Sequence, residues 1–219
     1  MAWQKVDDGL KMKTAPYDRL AADYDEWFSK NRFAYESELM AVRQMLPAGG
    51  MGAEIGVRTG RFASALGVPL GVEPSGPMRK MAHERGVAVI GAKAEELPFP
   101  DGCLDYALMV TVICFFDDVR KAFKETFRAL KVSGTLVVAF IDRASPLGKK
   151  YDERKKETVY YAEAVFHAAE EVRGYLEEAG FRSFSFCQTI FGNPGEMKGP
   201  DPVQEGHGKG CFAVIRADK

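Results

Sequence analysis

Residues 52–62, GAEIGVRTGRF, combine a short apolar run with glycines at every fourth position: Gly52, Gly56 and Gly60. This pattern predicts a buried strand that enters a glycine-bearing turn at 56–60 and then a helix beginning at Arg61. A helix N-terminus presents free backbone N–H groups and a partial positive charge, and glycine lets the backbone approach a ligand closely. The segment therefore predicts a strand–turn–helix unit with a ligand at the turn.

Short apolar runs alternate with helical patterns along the rest of the chain, which is typical of a mostly parallel sheet covered on both faces. The predicted strands are 52–55, 68–73, 87–90, 105–114, 135–141, 184–190 and 211–216, and the predicted helices include 78–85, 118–131 and 164–179. The last two strands are expected to pair antiparallel at one edge. The expected fold class is therefore α/β: a Rossmann-like, seven-stranded, mostly parallel sheet with an antiparallel edge strand, helices on both faces and an N-terminal helical cap.

Two segments stand outside this alternation. Residues 17–46 are rich in aromatic side chains, and residues 143–163 form a polar insertion after the fifth strand. Loops at the carboxyl ends of strands lie over the ligand crevice of a doubly wound sheet. The sequence therefore predicts one domain, 1–219, with 17–46 as a helical cap and 143–163 as a lid-like insertion. The alternatives are a helix that covers the sheet edge and a solvated basic face.

Composition narrows the classes of partner. The formal net charge of −1 gives no electrostatic sign of a nucleic-acid or anionic-membrane partner. The four cysteines are widely spaced, which favours reduced thiols over disulfides or a zinc site. The longest apolar run, 107–116, suits a buried strand and is too short for a membrane helix. We expect a cytoplasmic protein with a small-molecule substrate and without a metal, a nucleic-acid or a membrane partner.

Acidic residues follow two further predicted strands. Glu73 ends the second strand, in GVEPS, where a carboxylate can accept hydrogen bonds from both hydroxyls of a ribose. The segment AEELPF at 94–99 follows the third strand, and Asp105 begins the fourth. Because the carboxyl ends of parallel strands meet at one edge of the sheet, these segments and the glycine turn would surround one nucleoside.

At these residues the chain resembles the class I S-adenosylmethionine-dependent methyltransferases, and in particular the methyltransferase type 11 group, which includes small-molecule and quinone-ring methylating enzymes. The resemblance runs through most of the chain. It is carried by YDRLA at 17–21, YDEWF at 24–28, EIG at 54–56 with TGRF at 59–62, VEPS at 72–75, ELPFP at 96–100, and LK at 130–131 with GTL at 134–136.

The resemblance implies S-adenosylmethionine as the cofactor and S-adenosylhomocysteine as the product. It places the methionine portion at Glu54 and the glycine turn, the ribose at Glu73, and the sulfonium at the end of the fourth strand. The implied cofactor-binding residues are Glu54, Gly56, Val57, Arg58, Gly60, Glu73, Pro74, Met78, Ala94, Glu95, Val110 and Thr111. For Met78, a core position is the alternative, since methionine at helical spacing commonly fills a core.

Two residues depart from the family pattern. Arg58 stands where relatives carry glycine, and it could point away, occupy the site, or pair with the carboxylate of the cofactor. Lys93 stands where relatives commonly carry an aspartate facing the adenine amino group, and an ammonium offers no acceptor. We expect Lys93 to turn to solvent and cofactor binding to be weakened.

Methyl transfer needs alignment of an acceptor and exclusion of water more than acid–base groups. No catalytic residue is assigned; Asp117, Asp118, Tyr24 and His167 are the bases within reach. The expected acceptor-side residues are Tyr17, Tyr24, Trp27, Cys114 and Tyr160. The aromatic residues favour a partly apolar acceptor, whereas the lysines of 149–156 favour an anionic one.

Other functions of this fold fit less well. A nicotinamide oxidoreductase requires GxGxxG, and the glycines at 52, 56 and 60 lack that spacing. Nucleic-acid amino-methyltransferases carry an Asn/Asp-Pro-Pro-aromatic run after the fourth strand, where this chain has TVICFF. The alternative from another class is a non-catalytic binding or interaction protein whose cofactor pocket is altered by Arg58.

Overall fold

The computed structural model describes residues 20–158 and 160–219. Its strands are β1 (Gly52–Ile55), β2 (Leu70–Val72), β3 (Ala88–Ile90), β4 (Leu104–Val110), β5 (Leu130–Ile141), β6 (Arg182–Thr189), β7 (Gln204–Glu205) and β8 (Phe212–Asp218). They form one eight-stranded sheet in the order β3-β2-β1-β4-β5-β8-β6-β7. The first five strands pair in parallel, β8 runs antiparallel to both β5 and β6, and β7 runs antiparallel to β6.

Within residues 20–158 and 160–219, seven α-helices flank the sheet. They are α1 (Ala21–Lys30), α2 (Arg32–Met45), α3 (Arg61–Leu66), α4 (Gly76–Glu84), α5 (Val119–Ala129), α6 (Pro146–Arg154) and α7 (Ala169–Ala179). The predicted cap segment contains α1 and α2, and the predicted insertion contains α6. In the described ranges, no helix is long and apolar enough to cross a membrane.

The predicted Rossmann-like fold is confirmed, with local corrections. The fifth strand begins at Leu130 rather than at 135, so the preceding helix ends at Ala129 and not at 131. The sheet has eight strands rather than seven, because the two-residue β7 adds to β6 at the edge. The fourth strand ends at Val110, not at 114, because Thr111 has a φ of 49° and leaves the extended conformation. The last long helix begins at Ala169 rather than at 164, since His167 still pairs with the end of β5 through a bridge to Asp142.

Both faces of the sheet are buried, so its central strands are mostly apolar, with Glu54 of β1 as a buried acidic residue. One face packs under α5 and α7, where Phe123, Leu176 and Phe181 are buried. The other packs under α2 and α3, where Val42 and Phe62 are buried. The two layers fix the carboxyl ends of β1, β2 and β4 relative to one another, and the candidate site lies at those ends.

Asp25 anchors α1 to the helix that follows the glycine turn. Its carboxylate accepts hydrogen bonds from Arg61 Nε at 2.9 Å and from Arg85 Nη2 at 2.7 Å. Burial opposes ionisation of this acid, but the hydrogen bond from Arg61 and the charge of Arg85 outweigh it and hold the pKa of Asp25 below its ordinary value. The N-terminal helices are therefore held against the site by a nearly buried ion cluster.

We expect Asp25→Asn to lower the free energy of unfolding by about 2 kcal/mol near neutral pH, because two partly buried guanidinium groups lose their counterion. The depressed pKa means that this stabilisation is present above the unfolded-state pKa and is lost as the pH falls through the folded-state value. Urea denaturation should therefore show the difference from wild type shrinking in acid. Glu178→Gln, which breaks the exposed pair with Arg120, is the control and should change stability little. An equal loss in both variants would contradict the prediction.

Candidate active site

The turn after β1 requires glycine at both ends. Gly56 has a φ of 75° and Gly60 a φ of 80°, in the left-handed region that favours glycine. A Cβ atom on Gly56 would lie 2.2 Å from Val112 Cγ2, and one on Gly60 would lie 2.9 Å from Ala82 Cα. The turn therefore packs directly against its neighbours, and its backbone stays close to the crevice at the strand ends.

Glu54 lies in β1 just before the turn, and its side chain is buried. Its Oε2 atom has no hydrogen-bond partner among the described residues. Burial raises the pKa of Glu54 to about 8, against the opposing effects of the Ala63 amide and the charge of Arg58. A buried carboxyl oxygen without a donor is costly unless a ligand supplies one, so Glu54 fits a cationic, hydrogen-bond-donating ligand such as an ammonium group.

Glu73 follows β2, and its carboxylate connects the glycine turn at 56–60 with the turn that begins α4. Its Oε1 accepts a hydrogen bond from Ser75 N at 2.9 Å, and its Oε2 accepts one from Arg58 N at 3.0 Å. Burial raises the pKa of Glu73, and these two amides and the charge of Arg58 work against that rise. Each oxygen keeps a second acceptor position, so the carboxylate can bind a diol while it holds the glycine turn in place.

Arg58 extends across the crevice instead of pointing away from it. Its guanidinium donates hydrogen bonds to Tyr24 Oη at 2.9 Å and to Thr111 O at 2.6 Å. It also stacks against the rings of Tyr24 and Phe115, with its Cζ atom about 5 Å from each centroid. Arg58 has a φ of 51°, so a non-glycine residue occupies a left-handed position and spans from the turn to the end of β4.

The segment after β3 has mainly structural contacts. Glu95 Oε1 accepts hydrogen bonds from the backbone amides of Asp117 and Asp118, at 2.8 and 3.2 Å. Asp118 also caps α5, because its carboxylate accepts a bond from Lys121 N. Lys93 is partly exposed and pairs with Asp117 at 3.1 Å. Asp118 therefore stabilises the start of α5, and Asp117 stabilises the loop before it. Both carboxylates already have protein partners.

The remaining residues implied for cofactor binding differ in accessibility. Val57, Met78, Ala94 and Val110 are buried, and Met78 has no exposed surface. Pro74 is partly exposed, and its carbonyl accepts a hydrogen bond from Arg79. A contact between the adenine and Met78, Pro74, Ala94 or Glu95 stays a prediction.

A cavity of about 110 Å³ lies beside Thr111, under the N-terminal helices and α6. Its lining is mostly aromatic: Tyr24, Trp27, Phe28, Tyr151, Tyr160, Tyr161 and Phe212, with Glu38, Thr111, Ile141, Ile190, Pro194 and Cys211. Three of the predicted acceptor-side residues, Tyr24, Trp27 and Tyr160, thus meet in one cavity. Tyr17 lies outside the described residues.

Cys114 and His167 lie elsewhere. Both line a smaller cavity of about 10 Å³ that shares Thr111 and Ile141 with the aromatic one. Burial raises the pKa of the Cys114 thiol to about 12, so it is protonated at neutral pH. Burial lowers the pKa of His167, whose ring packs against Tyr175. Neither side chain lines the aromatic cavity.

Glu38 and Tyr151 also line that cavity, and the sequence motifs did not indicate either of them. Glu38 lies among the buried residues Ala34, Ala41 and Val42 on one face of α2. An acid at a position of the apolar stripe is the signal that could have identified it. Tyr151 belongs to α6, in the insertion whose lysines drew attention instead, and its contact with the cavity depends on how that helix packs.

Known proteins share the fold of this chain. The family model of the type 11 methyltransferase domain matches residues 53–138, which include the glycine turn, Glu54 and Glu73. The crystal structure of an S-adenosylmethionine-dependent methyltransferase of Thermotoga maritima, described as a possible histamine N-methyltransferase, superposes with a TM-score of 0.92. It is 47% identical and covers 94% of this chain and 99% of that chain.

Two curated relatives extend the comparison. An uncharacterized protein of Methanocaldococcus jannaschii is 41% identical over 203 residues, which are 93% of this chain and 98% of that protein. The ubiquinone/menaquinone biosynthesis C-methyltransferase of Proteus mirabilis is 28% identical over 172 residues, 66% of this chain and 68% of that protein. The Thermotoga structure, 47% identical over nearly its whole length, shows that this chain belongs to the class I S-adenosylmethionine-dependent methyltransferases, and the family match and the Proteus relative agree with it.

Proposed function

We propose that this methyltransferase transfers the methyl group of S-adenosylmethionine to a small molecule bound in the aromatic cavity. The observation that carries the proposal is the position of Thr111. Thr111 directly follows β4, at the edge predicted for the sulfonium. Its carbonyl accepts a hydrogen bond from the Arg58 guanidinium of the glycine turn, and the residue also lines the cavity. One residue therefore joins the cofactor side of the site to the acceptor side.

The residues at the strand ends suit the cofactor. Glu54 would hold its ammonium group, because the buried Oε2 atom lacks a donor among the described residues. Glu73 would hold the ribose hydroxyls with the acceptor positions that its two amide bonds leave open. When bound, the cofactor supplies an electrophilic methyl group on a sulfonium.

The chain itself supplies orientation and a dry environment. The rings of Tyr24, Trp27 and Tyr160 bound the cavity and exclude water from an acceptor within it. Holding the acceptor nitrogen, oxygen or carbon beside Thr111 converts a bimolecular reaction into an effectively intramolecular one. The alternative of a non-catalytic binding protein has one observation in its favour, the span of Arg58 across the crevice; the family to which the chain belongs favours the enzyme.

Ligand-dependent unfolding tests the proposal. S-adenosylhomocysteine at a hundredfold excess over its dissociation constant should stabilise the protein by about 2.7 kcal/mol, seen as a rise in Tm. Radiolabelled S-adenosylmethionine incubated with a metabolite extract should then label a product of low molecular mass. If neither cofactor form shifts Tm at millimolar concentration, or if label enters only macromolecules, the proposal is wrong.

A further inference from the structure

The aromatic cavity contains one buried acid, Glu38, at the middle of α2. The residue is only 9% exposed, and it lines the cavity with Tyr24 and Tyr151. Among the residues that the structure describes, burial is the one influence on the pKa of this carboxyl group, and no hydrogen bond or neighbouring cation opposes it. Asp25, the other buried acid of the N-terminal helices, is by contrast bonded to two arginines.

An unpaired buried carboxyl group works against folding. Burial raises the pKa of Glu38 to about 8. Burial, and to a smaller degree the charge of Glu38, also raises the pKa of Tyr24, Tyr35, Tyr151 and Cys211. These neighbours are neutral at physiological pH and supply no counterion. A leucine or methionine at position 38 would complete the apolar face at lower cost, so the acid is explained better by a ligand than by the fold.

The rings around Glu38 favour a cation as that ligand. Tyr24 and Tyr160 lie with their ring centroids 6.4 Å apart, and Tyr151 and Tyr161 lie 6.1 Å apart. Trp27, the best cation–π partner among side chains, also borders the cavity. The Arg58 guanidinium already stacks on the Tyr24 ring, so a ligand cation would rely on the other rings of the lining. These rings and the Glu38 carboxyl group, which ionises as an ammonium pairs with it, attract an ammonium in two independent ways, whereas a neutral hydroxyl gains little from the rings and an anion gains from neither.

We propose that the aromatic cavity binds an amine as the methyl acceptor, with Glu38 as the residue that pairs with its ammonium group. The inference rests on the proposed function for the identity of the reaction. The binding site itself is independent of it.

Glu38 can also accept the proton that the ammonium group must lose before methyl transfer. An ammonium has no lone pair, so it must first transfer one proton to the Glu38 carboxylate, which becomes a neutral carboxylic acid. The free amine nitrogen then forms a bond to the methyl carbon while the carbon–sulfur bond breaks. The electron pair of that bond stays on sulfur as a thioether, and the positive charge passes to the methylated nitrogen. Charge is conserved, and no further reactant is needed.

Calorimetric titration with benzylamine, benzyl alcohol and benzoate separates the charge of the ligand from its shape. The three probes share one ring and differ in carrying an ammonium, a hydroxyl or a carboxylate. We expect wild-type protein, with and without S-adenosylhomocysteine, to bind benzylamine at least about tenfold more tightly than benzyl alcohol, and benzoate most weakly. Equal affinities for amine and alcohol, tightest binding of benzoate, or no benzylamine binding at millimolar concentration would each overturn the proposal.

Substitution then assigns the preference to Glu38. Glu38→Gln keeps the shape and removes the charge, so it should abolish the preference for the amine and leave S-adenosylhomocysteine affinity unchanged. Glu38→Asp should keep part of the preference, and the surface variant Glu178→Gln should keep all of it. If Glu38→Gln still prefers benzylamine to benzyl alcohol as strongly as wild type does, the inference is wrong. Failure of S-adenosylhomocysteine to bind wild type, with the amine preference intact, would overturn the proposed function alone.

Discussion

Glu54→Gln is expected to lower the affinity for S-adenosylmethionine at least about a hundredfold, which is typical when one partner of a buried charge pair is removed. The buried Oε2 atom of Glu54 lacks a partner among the described residues, so a ligand ammonium would satisfy it. Glutamine retains one acceptor but has no charge, and its amide group would turn a donor toward another donor. Isothermal titration with both cofactor forms measures the loss without any need for an acceptor.

The same substitution should stabilise the ligand-free protein at alkaline pH. The folded-state pKa of about 8 lies above the unfolded value, so the contribution of Glu54 to stability is present below the unfolded pKa and is lost as the pH rises through about 8. Glutamine has no proton to lose. We expect the Tm of Glu54→Gln to exceed that of wild type by about 5 °C near pH 8 and to match it near pH 5.

The affinity of the wild-type protein for S-adenosylmethionine should increase with pH, whereas the stability of the ligand-free protein decreases. Binding of an ammonium requires ionised Glu54, so wild-type affinity for S-adenosylmethionine should rise from about pH 5 to about pH 8, and Glu54→Gln should weaken this dependence. Glu73, whose pKa is also raised, leaves a residual slope in the variant. Glu178→Gln is the control for loss of a surface carboxylate. Unchanged affinity in Glu54→Gln would show that this acid does not hold the cofactor.

The parts of the fold that local sequence determines were predictable. The bounds of β1 were predicted at 52–55 because an apolar run meets a glycine there, and the structure has the same bounds. The end of β4 was wrong because Thr111 is β-branched and nothing in its neighbours indicates a positive φ. The contacts of Thr111 come from distant parts of the chain: its carbonyl accepts a hydrogen bond from Arg58, 53 residues away, and its amide donates one to Ala139 O. The prediction failed where tertiary contacts outweigh local preference.

The candidate site divides in the same way. Glu73 could be proposed because strand ends of a parallel sheet share an edge, whereas Glu54 was implied by the resemblance to the family. Glu38 could not be proposed, since its importance comes from the aromatic residues that α1 and α6 place around it. The direction of the Arg58 side chain was also undetermined, because three alternatives were open for an arginine in a glycine turn and only the positions of Tyr24 and Thr111 select one.

Arg58→Gly, which introduces the residue expected at this position from the family resemblance, is expected to raise the affinity for S-adenosylmethionine about tenfold or more. The guanidinium lies between Tyr24 Oη and Thr111 O, so a ligand at the end of β4 must displace it or accept a cation beside it. Arginine at a φ of 51° is also strained, whereas glycine adopts this conformation freely. Removal of the side chain therefore opens the crevice to the ligand and also relieves the backbone strain at position 58.

Charge makes this prediction specific. S-adenosylmethionine carries a sulfonium that S-adenosylhomocysteine lacks, and a nearby guanidinium repels it. Loss of Arg58 should therefore raise the affinity for S-adenosylmethionine more than that for S-adenosylhomocysteine, and added salt should reduce the difference between the two gains. Arg58→Lys keeps the charge and should leave the ratio of the two affinities near the wild-type value. If Arg58→Gly instead weakens both ligands equally, the guanidinium binds a group that they share, their carboxylate, and Arg58 is a cofactor ligand rather than an obstacle.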